Sequence, residues 1–210
     1  MSKRGPDRRF FDLWSLFYDL EIVQRLTYRP VHDAVLRGLR RSGCRRVLDV
    51  GCGTGLLAAR IRRELDGAQA VGCDFSRGML HRAAAHEPGA PWVQGDALRL
   101  PFRAGSFDAV VSSESFHWFP DPAAALAEFH RALAPGGRAF IALVNPPVEA
   151  VSRATRSASR WLGEPLQWPT RRRMRERLGA AGFRVERQER IFRVPMGLLL
   201  PPVLTVARRP

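Results

Sequence analysis

The chain has 210 residues with a formal net charge of +14, and 45% of its residues are hydrophobic. That is enough apolar material for one α/β domain with a sizeable core and loosely ordered ends, and it excludes a disordered chain or a disulfide-stapled miniprotein. Three cysteines without CxxC or finger spacing leave no metal site to expect, and point to a reducing, cytoplasmic setting.

In chain order, Phe10, Leu13, Trp14 and Phe17 recur at helical spacing, and Val31, Val35 and Leu39 repeat the pattern. Residues 1–45 therefore read as capping helices. Asp12 and Asp19 interrupt the first apolar stretch, so a signal-peptide core is not predicted. From Arg46 onward short β-branched runs alternate with helical patterns, which predicts βαβ units and a parallel sheet. The predicted strands are Val47–Val50, Ala70–Cys73, Trp92–Gln94, Phe107–Ser112 and Ala139–Val144. Leu57, Ile61 and Leu65 mark one intervening helix; Leu126, Phe129 and Leu133 mark another, with Asp121 as its cap and Pro122 in its first position. Gly136 and Gly137 are expected to end that excursion before the fifth strand. Residues 145–169 show no clear periodicity. Met174, Leu178 and Ala181 then predict a helix ending at Gly182, followed by strands over Phe183–Glu189 and Leu198–Ala207. Pro201 and Pro202 place the last of these at an edge or a bulge. The longest apolar run, Val194–Ala207, is too short and too proline-broken to span a bilayer.

The strongest signal is Val47-Leu48-Asp49-Val50-Gly51-Cys52-Gly53-Thr54-Gly55, a strand running into a glycine-rich turn and then a helix. Glycines let the backbone turn sharply and approach a ligand. The spacing is GxGxG, not the GxGxxG of dinucleotide sites. Asp74 closes the second strand, where a carboxylate can take both hydroxyls of a ribose.

With these residues the chain resembles the class I S-adenosylmethionine-dependent methyltransferases, particularly small-molecule enzymes of the ubiquinone and menaquinone type. The likeness covers Arg46–Val144 and includes Asp-Phe-Ser-Arg-Gly-Met-Leu from Asp74 to Leu80, Gly95-Asp96-Ala97, and the Arg131–Gly137 stretch before the fifth strand. It implies a Rossmann-like three-layer αβα sandwich with a mainly parallel seven-stranded sheet and an antiparallel last strand, built as a single unit over residues 1–210. Residues 46–144 would form the cofactor core and residues 145–210 the acceptor side and final strands. By this resemblance Asp49, Gly51, Gly53 and Gly55 shape the pocket for the methionine part of S-adenosylmethionine. Asp74 holds the ribose, Met79 packs near the adenine, and Asp96 with the Ala97 backbone reads the adenine edge. Plain alternatives stand beside these roles: a simple β-to-α turn, a loop cap at Asp96, and core packing at Met79.

The fourth strand leads into Ser112-Ser113-Glu114-Ser115-Phe116-His117-Trp118-Phe119, where Glu114 and His117 are the candidate catalytic groups. A packed imidazole is the competing role for His117. Asn145-Pro146-Pro147-Val148 follows the fifth strand and not the fourth, and Val148 offers no aromatic face for a flipped base, so it reads as a rigid exit from the sheet.

Charge is unevenly placed. Met1–Arg46 sums to +6, Val47–Val144 to −1 and Asn145–Pro210 to +9. The basic flanks also carry Phe10, Phe11, Trp14, Phe17, Trp161 and Trp168, a mixture suited to a small lipophilic or anionic acceptor and to peripheral membrane contact. No specific nucleic-acid partner is expected. An RNA methyltransferase and a non-catalytic cofactor-binding subunit remain the alternatives, and the oligomeric state is not encoded in any pattern found.

Overall fold

The computed structural model describes residues 28–146, 148–161, 167–191 and 202–210. The first helical pattern, Phe10–Phe17, lies outside them, as do residues 198–201 of the final predicted strand. Helix α1 (Arg29–Ser42) starts with a proline in its first turn and ends on Gly43 in the left-handed conformation. Then follow β1 (Arg46–Val50), α2 (Leu56–Glu64), β2 (Gln69–Asp74), α3 (Arg77–His86), β3 (Trp92–Gln94), β4 (Phe107–Ser113), a 3₁₀ turn (Phe116–Trp118) and α4 (Pro122–Ala132). The chain continues through β5 (Leu133–Val144), α5 (Glu149–Trp161), α6 (Arg171–Ala180), β6 (Arg184–Arg190) and β7 (Pro202–Arg208).

The seven strands form one sheet in the order β3-β2-β1-β4-β5-β7-β6. β1 pairs in parallel with both β2 and β4, and β7 runs antiparallel between β5 and β6. This is the Rossmann-like αβα architecture that the sequence implied. Period-two alternation divides the core. Leu48, Val110, Ile141 and Leu143 point to one face, where they meet Leu126 and Phe129 of α4 and Met174 and Leu178 of α6. Val47, Ala109, Val111 and Phe140 point to the other, against Val31, Val35 and Leu39 of α1 and Leu57 and Ile61 of α2. Asp121 caps α4 as its sequence predicted, accepting the amides of Ala123 and Ala124 at 3.0 and 3.1 Å.

Three expectations are corrected. Gly136 and Gly137 do not precede β5 but lie within it, where the pairing with β4 slips between Phe107 and Ala109. A Cβ on Gly137 would stand 2.9 Å from the Ala134 carbonyl oxygen and 3.0 Å from that of Asp108, so glycine permits the irregular strand to close on its neighbour. β7 is an inner strand, not an edge. Pro202 is tolerated because it is the first residue, where its carbonyl accepts the Ile191 amide at 2.8 Å and no N–H is required of it. Finally, α5 occupies part of the stretch without visible periodicity. Its buried residue Ser152 is small and polar, and a search for large apolar residues passes over it.

Candidate active site

Strand order reverses between β1 and β4, and open α/β sheets bind ligands in the crevice that such a reversal leaves at the carboxyl ends. The turn after β1 and the loop after β4 meet there: Ser115 Oγ donates to the Val50 carbonyl at 3.0 Å and lies 2.8 Å from Ser112 Oγ. Gly51, Gly53 and Gly55 all have positive φ, at 71°, 55° and 80°. Their surroundings differ. A Cβ on Gly51 would meet Ser115 Cβ and Oγ at 2.5 Å, and one on Gly55 would meet the Trp92 ring at 2.3 Å. At Gly53 nothing lies closer than Met79 Sδ at 4.0 Å. Gly51 and Gly55 are thus required by packing, and Gly53 is the position whose backbone stays open to a ligand.

Asp74 fastens this turn to the next helix. Its Oδ2 accepts the Gly53 amide and its Oδ1 the Ser76 amide, both at 2.9 Å, while Ser76 Oγ caps α3 by accepting the Met79 amide at 3.2 Å. The Asp74 carbonyl also receives the Gly95 amide at 3.0 Å, which brings the 95–97 loop beside the same carboxylate. In that loop Ala97 is buried, whereas Asp96 is exposed and its Oδ1 accepts the Leu98 amide at 2.9 Å, a cap on its own turn. Met79 is buried with its sulfur toward the glycine turn.

Asp49 is 2% exposed, and its Oδ2 has no hydrogen-bond partner among the described residues. Burial, and then the neighbouring Asp74 carboxylate, push its carboxyl up from 3.8 to about 7. It lines a small cavity with His32, Gly51, Thr54 and Ser113. His32, on α1, was not among the sequence candidates. Burial first and Arg60 second lower it to about 4, so it is neutral at physiological pH. Burial raises the thiols, Cys44 to about 11, Cys73 to about 12 and Cys52 well above its ordinary value, which lowers their thiolate content.

Asp49 gives a pH prediction. Between about pH 4 and pH 7 the folded protein retains a proton that the unfolded chain has released, so this group lowers stability as pH rises across that window. The Asp49→Asn variant should therefore lose less Tm than the parent between pH 5 and pH 8. Equal losses in thermal melts of the two proteins would assign the titration to another group.

On the β4 side, Glu114 has φ 54°, the left-handed region that a non-glycine residue rarely adopts, and its amide donates to the Ala142 carbonyl at 2.8 Å. His117 is 7% exposed, its ring 5.1 Å from that of Trp118 and 6.3 Å from that of Trp168. The Gln167 amide donates to the His117 carbonyl at 3.0 Å, which ties the 167–170 segment over this loop. Asn145, just past β5, is buried and donates through Nδ2 to the Pro169 carbonyl at 2.6 Å. The structure therefore gathers Asp49, Gly51, Gly53, Gly55, Asp74, Met79 and Ala97 around the ends of β1 to β3, and sets Glu114 and His117 across the crevice.

Comparison with known proteins gives the family likeness and the fold. The methyltransferase-domain family profile matches residues 48–141. The demethylmenaquinone methyltransferase of Streptomyces avermitilis is 35% identical over 87% of this chain and 90% of its own length. The Thermus thermophilus enzyme of the same name is 41% identical over 49% of each chain, so that match spans about half of the relative. Among solved structures, the methyltransferase captured in complex with the Haloferax volcanii activator Trm112 superposes with a TM-score of 0.77 at 25% identity, covering all of both chains.

Proposed function

Because the chain belongs to the class I S-adenosylmethionine-dependent methyltransferases, with S-adenosylmethionine as methyl donor, we propose that it methylates a small lipophilic acceptor of the quinol type. The observation that carries the donor side is the pair of buried carboxylates beside the glycine turn, Asp49 one residue before the end of β1 and Asp74 at the end of the neighbouring β2. These residues fit the cofactor: Asp49 Oδ2 is buried and lacks a partner among the described residues, and Gly53 leaves the backbone approachable. Asp49 would hold the α-ammonium, Asp74 the ribose hydroxyls, Met79 a face of the adenine, and Asp96 with the Ala97 amide its edge. Since an ammonium needs an ionised partner, cofactor affinity rises with pH through about 7.

When bound, S-adenosylmethionine supplies a methyl on an already activated sulfonium, so alignment carries most of the catalysis. The protein's remaining task is the acceptor proton. His117 stands across the crevice from the glycine turn and would take that proton from a hydroxyl or an acidic carbon. Glu114, held in its left-handed backbone by the Ala142 carbonyl, would orient the acceptor beside it.

The acceptor class follows from the demethylmenaquinone methyltransferase relatives and from the arginine-rich, aromatic flanks. No helix among the described residues is long and apolar enough to cross a membrane. A cytoplasmic protein touching the membrane surface peripherally would meet such an acceptor there. Many described arginines are already paired, Arg62 with Glu87, Arg131 with Glu128 and Arg138 with Glu186 among them, which weakens the field available to nucleic acid. Methyl-labelled S-adenosylmethionine, offered with demethylmenaquinol in anionic liposomes and with total RNA, tests the proposal. Label should enter the quinol; label confined to RNA would refute it.

A further inference from the structure

We propose that His32 and Ser113 hold the α-carboxylate of the methyl donor and so select for its complete amino-acid tail. The inference rests on the donor-site reading above, in which Asp49 takes the α-ammonium, and it assigns two residues that reading leaves without a role. Both line the cavity beside Asp49, together with Thr54 and with Leu56 and Leu57 of the first turn of α2. Their positions follow from the fold. Asp49 is paired with Val111 on the neighbouring strand, so Ser113, two residues farther along β4, stands on the same face of the sheet and nearer its carboxyl end. Helix α1 covers that face through Val31 and Val35, and brings His32, 6% exposed, to the cavity.

The cavity offers a cation and an anion adjacent places. Asp49 accepts the Ala58 amide through one oxygen and leaves Oδ2 buried without a partner among the described residues, which suits a cation. The rest of the wall suits an anion. Helix α2 starts on Gly55, which has no side chain to cap it, and carries no acidic residue in its first turn, so Leu56 and Leu57 present its positive end to the cavity. Ser113 Oγ is buried with no hydrogen-bond partner among the described residues. His32 is held neutral by burial and then by Arg60, which lower it to about 4. A neutral imidazole donates one N–H and a serine one O–H. The donor's tail carries its ammonium and its carboxylate on a single carbon. With the ammonium on Asp49, like charge turns the carboxylate away from Asp49 and onto the helix end and these two donors. Uncharged donors fit here because a fixed cation would oppose the ammonium beside it, and among the described residues the lining carries no arginine or lysine.

The test is a calorimetric comparison of S-adenosylhomocysteine with its decarboxylated form, which keeps the ammonium and lacks only the carboxylate. The parent should prefer S-adenosylhomocysteine. Ser113→Ala and His32→Leu should each lower affinity for it roughly 10- to 100-fold, the effect of losing a hydrogen bond to a charged group. Affinity for the decarboxylated form should move by less than about twofold, so the preference shrinks, whereas a disturbance of packing weakens both ligands alike. Ser113→Ala removes only a hydroxyl and keeps the test open if His32→Leu does not fold. Equal affinity of the parent for the two ligands, or a preference left intact in Ser113→Ala or in folded His32→Leu, would overturn the assignment. Asp49→Asn separates it from the reading it rests on, because both ligands carry the ammonium and both should bind more weakly. If they do while the preference survives in the other variants, only the carboxylate assignment falls. If Asp49→Asn weakens neither ligand, the tail does not lie in this cavity and both readings fall.

Discussion

His117→Ala is expected to lower kcat about 10²- to 10⁴-fold, the usual contribution of a positioned acid or base, while affinity for S-adenosylhomocysteine changes by less than about twofold. The separation follows from where the residue sits. His117 belongs to the 3₁₀ turn after β4, away from the carboxylates and glycines proposed to hold the cofactor. The residue is 7% exposed and its ring lies beside those of Trp118 and Trp168, which fixes its position, and a fixed ring avoids the reorganisation that a mobile base would need. The same burial gives it a second role to be separated from the first, since removing a packed ring from a core costs stability. His117→Gln keeps polar bulk without an effective base. Near-normal kcat in His117→Gln, together with a lowered Tm in His117→Ala, would assign the imidazole to packing.

The second large effect concerns the glycine turn, where two substitutions of the same kind should fail in different ways. Gly51→Ala puts a Cβ 2.5 Å from Ser115 Cβ at a φ of 71°. Overpacking of this kind costs about 1–3 kcal/mol and the left-handed backbone a further 1–2 kcal/mol, so a loss of roughly 2–5 kcal/mol is expected. For a chain of this length that is about 5–20 °C in Tm. Ser115→Gly on top of Gly51→Ala removes the clash and should restore part of the loss. Gly53→Ala shares the left-handed φ but meets nothing nearer than 4.0 Å, so its stability cost is confined to the backbone term. Its added methyl stands where the cofactor would approach, and binding should suffer more than folding. Identical Tm losses in the two variants, with identical binding losses, would contradict the division of the turn into packed and open glycines.

Much of the donor side was legible in the sequence because it depends on local chemistry. A strand, a GxGxG turn and a carboxylate closing the next strand are adjacent in the chain, and β1 and β2 are neighbours in the sheet. The long-range parts of the site and of the sheet were less legible. His32 reaches the cavity beside Asp49 from a helix that precedes β1, and only the i, i+4, i+7 stripe of His32, Leu36 and Leu39 marks it as inward-facing. Asn145 was read as a sheet exit, since its bond to Pro169 spans 24 residues and no local pattern encodes it. The inner position of β7 was hidden for a similar reason: a proline at a strand end is compatible with an edge or a centre, and the long-range pairing with β5 and β6 decides. Helix α5 buries Ser152, a small polar residue that adds nothing to an apolar period.

The cofactor site at the ends of β1 and β2 is tested most directly by calorimetric titration of S-adenosylhomocysteine and NAD into the parent and the Asp74→Ala variant. The parent should bind S-adenosylhomocysteine and not NAD. Asp74→Ala should weaken binding by about 1.5–3 kcal/mol, the range for hydrogen bonds to a charged group, which is roughly 10- to 150-fold. The same affinity in parent and variant, or NAD binding comparable to that of S-adenosylhomocysteine, would contradict the assignment of the Asp74 carboxylate and the glycine turn to the methyl donor.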